Sequence, residues 1–451
     1  MSNTFVWGAA SAAFQIEGAH NVDGKGLSIW DIYTHELLRT GKTRDTGDVA
    51  CDHYHRYEED VRLMAEMGLN GYRFSIAWSR VLPMGTGEVN EAGIAFYDRL
   101  IDTLLANGIE PYVTLYHWDL PQALFERGGW ISPEMPAWFY EYAKLIGERF
   151  GHKVKNFITI NEASNVIEGM TPNGTNAPAH GYALHDRLTA IHNILLAHGM
   201  AVKALRETVE DAKIGFAPCS GVPCPPADDP ALIERARESY FYMSREDPKD
   251  SITAWLDPIF FGDYPREYYE AYGDLMPVVK PGDMEIISQP IDYCFQNIYS
   301  GQRYVSDGKG DWIPDNEGVT TNMLGWGVVP QALYWGPRFL YERYQKPVCI
   351  TENGFSWEDN VSEDGGVHDP ERAAFLRAYT AELLRARADG VDIRGYFYWS
   401  ITDNLEWELG FGPRFGLIHV DYKTLVRTPK DSAYAYRDLI TAFRASEQEN
   451  G

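Results

Sequence analysis

Val348-Cys349-Ile350-Thr351-Glu352-Asn353-Gly354-Phe355 is the stretch whose reading decides the fold. Apolar and β-branched residues run from Val348 to Thr351 straight into a carboxylate, and Asn353-Gly354 breaks the run. A short apolar run of this kind reads as a strand buried on both faces, the habit of a parallel sheet. Glu352 then stands where a strand ends and a loop begins. A carboxylate there is costly unless it is hydrogen-bonded or used. A lone Glu at a strand end ordinarily just faces water. The rest of the chain argues otherwise, because polar residues recur at the same end of similar strands.

Working outward, helical and strand patterns alternate along the whole chain. Strands are expected at Phe5 to Ala10, Tyr72 to Ile76, Tyr112 to Tyr116, Asn156 to Ile160, Ile214 to Ala217, Tyr293 to Asn297, Val348 to Thr351 and Gly395 to Ser400. Between them come helical patterns. Tyr54 to Met67 places Tyr57, Val61 and Met64 on one face and stops at Gly68; Glu91 to Ala106 stops at Asn107-Gly108. Further helices are expected at Pro133 to Phe150, Asp186 to Val209, Ala332 to Tyr344 and Lys430 to Arg444. Another starts at Pro370, with Asp369 as its cap. A polar loop is expected from Asp23 to about Asp52, and a Pro-rich, irregular section with at least one helix follows Pro218. Eight strands separated by helices, with no linker, predict one (β/α)₈ TIM barrel with extended loops over residues 1–451. A doubly wound sheet is the alternative, but no Gly-x-Gly-x-x-Gly follows any strand.

Composition narrows the function classes. With 451 residues, 45% of them hydrophobic, the chain has ample material for a large core. A formal charge of −25 argues against nucleic acid and anionic membrane surfaces as partners. No run of eighteen apolar residues suggests a membrane span, and Met1 to Gly8 reads as the start of the fold, not a signal peptide. Five cysteines in no zinc spacing fit reduced thiols in a cytoplasm.

In a barrel of this kind the reacting groups come from the carboxyl ends of the strands. Those ends supply Arg73, His117-Trp118-Asp119, Asn161-Glu162, Asn297 with Tyr299, Glu352, and Trp399 with Glu406-Trp407 beyond it. Two carboxylates, Glu162 and Glu352, are therefore expected at one mouth, among tryptophans and amide or imidazole donors. Indole faces stack on the apolar face of a pyranose, the polar groups bind its hydroxyls, and a carboxylate pair suits glycoside hydrolysis. Any one of these tryptophans could simply be core, and either carboxylate could be surface loop. Their joint placement at strand ends is what argues for a site.

The same residues resemble the retaining β-glycosidases of glycoside hydrolase family 1. The resemblance is carried by Phe14-Gln15-Ile16-Glu17-Gly18, Tyr72-Arg73-Phe74-Ser75-Ile76-Ala77-Trp78-Ser79-Arg80, His117-Trp118-Asp119 and Thr159-Ile160-Asn161-Glu162. It continues through Ile350-Thr351-Glu352-Asn353-Gly354, the run Trp399 to Trp407 and Arg414-Phe415-Gly416-Leu417-Ile418-His419-Val420-Asp421-Tyr422, in the family's order over essentially the whole chain. It implies Glu352 as nucleophile and Glu162 as acid/base. It implies Gln15, His117, Asn161, Glu406 and Trp407 as sugar contacts, with Trp118 and Phe415 beside them and Trp399 as the platform. Arg73, Asn297 and Tyr299 would brace the nucleophile, and Trp326 would serve the leaving group. Two departures stand out: Ala163 follows Glu162 where the family has Pro, and Ile298 precedes Tyr299 where it has an aromatic residue.

The resemblance implies a small β-glycoside substrate and no cofactor or metal. β-Glucosides lead, with β-galactosides and β-fucosides as side activities and cello-oligosaccharides among the candidates. A 6-phospho-β-glycosidase is one alternative; Glu406 would repel the phosphate, though Lys423, Arg427 and Lys430 lie downstream. A barrel that binds sugar without cleaving it is another, and a metal-dependent hydrolase a third, although the histidines form no strand-end cluster. Aglycone preference, transglycosylation and homo-oligomerisation stay open.

Overall fold

Eight parallel strands close on themselves in the computed structural model, which describes residues 5–40, 44–226, 229–306, 312–315 and 317–450. They are β1 (Val6–Ala10), β2 (Gly71–Ser75), β3 (Glu110–Tyr116), β4 (Asn156–Asn161), β5 (Lys213–Ala217), β6 (Tyr293–Asn297), β7 (Val348–Asn353) and β8 (Ile393–Trp399). Each pairs with the next in chain order, and β8 returns to β1 with Gly8 beside Phe397. A Cβ on Gly8 would lie 2.4 Å from the Phe397 ring, so the seam closes only around a bare backbone. β2, β4 and β7 are buried at every position, as expected where helices cover the outside and side chains fill the inside. The fold class is therefore the (β/α)₈ barrel that the alternation predicts.

The covering helices include His53–Glu66, Glu91–Ala106, Met135–Phe150, Leu184–Thr208, Ala332–Tyr344, Pro370–Ala388 and Asp431–Asn450. Leu184–Thr208 is long and apolar enough on average to cross a membrane, although it is not an unbroken apolar run. In the fold, 78% of its most apolar stretch is buried, and it packs against Met135–Phe150.

Three local expectations are corrected, and a fourth, of at least one helix after Pro218, is met. The presumed loop from Asp23 to Asp52 contains a helix, Ile29–Thr40, because Ile29, Trp30 and Tyr33 bury one helical face against the barrel mouth. β7 runs through Asn353, two residues beyond Thr351, since Glu352 still pairs with Asn297 on β6. Asp369 occupies the cap position of Pro370–Ala388 but makes no side-chain cap bond to that helix's backbone. Its carboxylate accepts from the Ser432 amide and hydroxyl and from Arg372 instead. The irregular section after Pro218 holds four α-helices among the described residues: Pro230–Tyr240, Ile252–Phe261, Arg266–Tyr272 and Asp283–Ile287. The reading of Met1 to Thr4 as the start of the fold lies outside the described residues.

Candidate active site

β7 ends on the best-held side chain of the site. Glu352 is buried, its Oε1 accepting from Arg73 Nη1 at 2.5 Å and its Oε2 from the Tyr299 hydroxyl at 2.6 Å. Arg73 is itself fixed from three other directions: it donates to Thr114 Oγ1 at 3.0 Å, to the Thr351 carbonyl at 3.1 Å and to Asn161 Oδ1 at 2.6 Å. A guanidinium with this many fixed acceptors cannot swing away from the carboxylate. Behind the turn, Gly354 lies so close to the Trp399 carbonyl that a Cβ would come within 1.8 Å of it. The end of β7 and the end of β8 are thereby locked together.

Across the mouth, Glu162 follows β4 with φ of +41°, a left-handed conformation that turns its carboxylate inward as the short helix Ala163–Glu168 begins. Its Oε1 accepts from Asn297 Nδ2 at 2.7 Å and its Oε2 from Asn165 Nδ2 at 2.6 Å. Asn297 also donates to Asn161 Oδ1 at 2.9 Å and accepts from Thr351 Oγ1 at 2.7 Å, so one amide links the ends of β4, β6 and β7. The sequence reading assigns Asn297 to the support of Glu352. Its amide nitrogen donates to Glu162, and a hydrogen bond from Asn297 also lowers the Glu352 carboxyl, because β6 lies between the two carboxylates.

The two carboxyls feel different surroundings. Burial and the repulsion of Glu352 push Glu162 up to about 8 from an ordinary 4.5. Burial also raises Glu352, but Arg73 and Tyr299 oppose it. Glu406 is pushed up to about 8 by burial and by Glu408, Glu352 and Glu162. His117 is held well below its usual value by burial and by Arg73, so its imidazole is neutral.

These groups surround a cleft of about 400 Å³. His117, Trp118, Glu162, Tyr299, Trp326, Glu352, Trp399, Glu406, Trp407 and Phe415 line it, while Gln15, Arg73, Asn161 and Asn297 stand buried behind. Its inner end is a stack: His117 lies 5.6 Å from Trp399 and 5.8 Å from Trp407, ring centre to ring centre, and Trp118 lies 4.5 Å from Trp407. At the other end Trp326 packs 5.2 Å from Tyr299 and 6.1 Å from Phe415. Two buried polar atoms at the inner end have no protein partner, Gln15 Oε1 and His117 Nδ1. Asn161 Nδ2 donates to His117 Nε2 at 3.0 Å, which leaves Nδ1 as the protonated nitrogen. An acceptor and a donor without partners, beside indole faces, form a receptor for hydroxyl groups on a flat ring.

The strand-end residues singled out from the sequence gather at this one mouth except Asp119, which lines a separate small pocket with Glu17, Lys25 and Asp31. Sequence reasoning missed Asn165 and Cys219. Asn165 sits three residues after Glu162, the spacing at which side chains share a helical face, so a signal was present. Cys219 lines the cleft two residues beyond β5, the one barrel strand whose end was not read from β2 to β8. Its thiol is pushed well up by burial, by both carboxylates and by a hydrogen bond to Glu162. Of the basic residues weighed as a phosphate loop, Arg427 pairs with Asp60, Lys430 with Asp359 and Asp403, and Lys423 is exposed outside the cleft lining.

Comparison with known proteins agrees with this geometry. Beta-glucosidase A of Thermotoga maritima is 42% identical over 439 residues, 97% of this chain and 96% of that protein. The 1,4-beta-D-glucan glucohydrolase of Thermotoga neapolitana is 41% identical, covering 97% of each. The solved structure of the Thermotoga maritima beta-glucosidase in complex with glucoimidazole superposes with a TM-score of 0.87 at 41% identity, over 97% of this chain and 98% of that one. The sequence model of Glycosyl hydrolase family 1 matches residues 1–444, and the chain belongs to that family.

Proposed function

We propose that the chain is a retaining β-glucosidase that releases terminal β-D-glucosyl residues from oligosaccharides and aryl or alkyl glucosides, the whole of residues 1–451 forming one catalytic domain. One observation carries the reading: two buried carboxylates face a single cleft in opposite surroundings, Glu352 held by a cation and a phenol, Glu162 by the neutral groups of Asn297, Asn165 and Cys219.

That asymmetry divides the labour. Arg73 and Tyr299 favour the ionised form of Glu352, which attacks the anomeric carbon. Glu162, protonated up to about pH 8, gives its proton to the departing oxygen. The C1–O bond breaks as the ester to Glu352 forms. Esterification removes the charge on Glu352 and with it the repulsion on Glu162. The now more acidic Glu162 takes a proton from water, which attacks C1 and restores both carboxyls with net retention. Trp399 and Trp407 carry the sugar face; Gln15, His117, Asn161 and Glu406 bind its hydroxyls; Trp118 and Phe415 close the sides; Trp326 meets the leaving group.

The acidic inner end and the absence of Lys or Arg from the cleft lining, among the described residues, favour neutral sugars over 6-phospho-sugars. Cellulose-derived oligosaccharides and a cytoplasmic site of action belong to the same reading. Steady-state hydrolysis of an aryl β-glucoside, beside its 6-phosphate, tests it. Turnover of the neutral glycoside is expected. Binding without cleavage would leave a sugar-binding barrel, and preference for the phosphate would leave a phospho-glycosidase.

A further inference from the structure

Asp119 is the strand-end carboxyl that leaves the catalytic cleft. It closes the turn His117-Trp118-Asp119, in which Trp118 holds a φ of +76° while His117 and Trp118 line the cleft. Asp119 itself is 2% exposed and lines a different space, a cavity of about 10 Å³ with room for roughly one water. Apart from His20 and Lys25, every residue around that cavity is buried. Asp119 Oδ1 has no protein partner, and neither has Nη1 of Arg80, which belongs to the same lining. Arg80 is not free to swing: its Nε donates to Glu17 Oε2 at 2.8 Å and its Nη2 to the Gly18 carbonyl at 3.1 Å. Its guanidinium also lies 4.5 Å from the centre of the Tyr54 ring.

The cavity lies between the two segments that build the inner end of the cleft. One is the short helix Ala13–Ile16, which carries Gln15 and runs into Glu17. Phe14 of that helix lines the cavity and stacks 6.0 Å from Trp407. The other is the turn that ends at Asp119. Just beyond it the Ile29 amide donates to the Leu120 carbonyl and the Gln122 amide to the Leu27 carbonyl, each at 2.8 Å.

Charge selects what the cavity can hold. Arg80 pairs with Glu17 and Lys25 with Asp31, which leaves Asp119 as the carboxyl without a cation of its own. Burial pushes it up to about 8, Glu17 and Asp31 add to the rise, and Lys25 and its own amide oppose it. A cation entering the cavity would meet Arg80 and Lys25, and an anion would meet Glu17 and Asp31. A neutral molecule that accepts from a guanidinium N–H and also bonds a carboxyl satisfies both unpartnered atoms, and at this size it is water.

We infer that one structural water is shared by Arg80 Nη1 and Asp119 Oδ1, and that Asp119 is thereby a positioning residue: it fixes the turn that aims His117 and Trp118 at the sugar against the segment that carries Gln15. The positioning role rests on the β-glucosidase reading; the water does not.

A high-resolution crystal structure of the unmodified protein tests the site without any variant. An ordered water within hydrogen-bond distance of both atoms is expected. A cavity without water, or a direct bond between Arg80 and Asp119, overturns the site. Aryl β-glucoside kinetics test the role, with circular dichroism as the check on folding. Asp119→Ala is expected to raise KM roughly tenfold, the worth of about one hydrogen bond, with kcat changed less than about threefold. Asp119→Asn reproduces the shape of the neutral carboxyl and is expected to keep the water and a KM within about threefold of wild type. An unchanged KM in Asp119→Ala overturns the positioning role, as does an Asp119→Asn protein as impaired as Asp119→Ala. Absence of wild-type turnover defeats the parent reading and the positioning role with it, whereas the water is read independently.

Discussion

Two clusters of buried charge lie at the carboxyl end of this barrel, and they are assembled on opposite principles. Behind the loop after β8, Arg372, Lys430 and Arg414 meet Asp359, Asp369 and Asp403. Lys430 spans Asp359 and Asp403, Arg372 spans Asp359 and Asp369, and Arg414 reaches Asp403 at 2.5 Å. Cations and carboxylates balance, and although burial pushes Asp403 up, Lys430 and Arg414 outweigh it and hold it below its usual value. At the mouth, Arg73 pairs with Glu352 and acts on Glu162, Glu406 joins the same cleft, and two of those three carboxyls are pushed up to about 8. The balanced cluster holds shape. Asp403 also accepts from the Gly416 amide at 3.0 Å, and the loop it pins carries Trp399, Glu406 and Trp407 to the cleft. The unbalanced cluster leaves a proton to move, which acid–base chemistry needs.

The comparison breaks at its strongest point if the carboxylates of the mouth can be exchanged freely. Glu352→Gly is expected to lower kcat by at least roughly 10⁴-fold with the fold intact, read by aryl glucoside turnover and circular dichroism. Next comes the balanced cluster. Asp403→Asn takes the carboxylate partner from Arg414 and leaves Lys430 with Asp359, and a loss of about 3–5 kcal/mol in denaturant unfolding is expected, with a raised KM as the Trp399–Trp407 loop loosens. Retained stability there would deny that charge balance is what holds the loop.

Glu162→Ala is expected to cost about 10²–10⁴-fold in kcat, with azide restoring part of the turnover of an activated aryl glucoside. Glu162→Gln sharpens the contrast from the stability side. Between 4.5 and about 8 the folded chain keeps a proton that the unfolded chain has lost, so this group's cost to stability grows as pH rises through that window. The substitution should therefore raise Tm by roughly 1–3 °C, more at pH 8 than at pH 5. A Tm gain independent of pH would detach the effect from the carboxyl.

The smallest expected effect concerns Asn165. The pH profile of kcat/KM should fall on its alkaline side near 8, following Glu162. Asn165→Ala removes a donor to the carboxylate, so that limb should move upward, by about half a unit, with little change at the optimum. An unmoved limb would make Asn165 a packing residue.

Much of this was legible in the chain. The run from Val348 to Glu352, and its counterpart from Asn156 to Glu162, show burial followed by a carboxylate within a few residues. The barrel rule then places both at one mouth. What escaped was of two kinds. The helix Ile29–Thr40 was hidden by polar flanks, because its apolar face is short and its burial comes from the barrel mouth it leans on. The charge pairs and the cavity at Asp119 link residues far apart in sequence, such as Lys430 with Asp359, and no local periodicity marks them.

The sequence by itself determined the alternation of strands and helices, the strand-end carboxylates and the family, since burial patterns and motifs are written in neighbouring residues. Only the tertiary structure decided that Asn297 would also donate to Glu162, that Asn165 and Cys219 would join the site, and that the cleft would continue past Trp326. Those outcomes depend on how the closed barrel brings strand ends together, and on which buried charge finds a partner there and which is left without one.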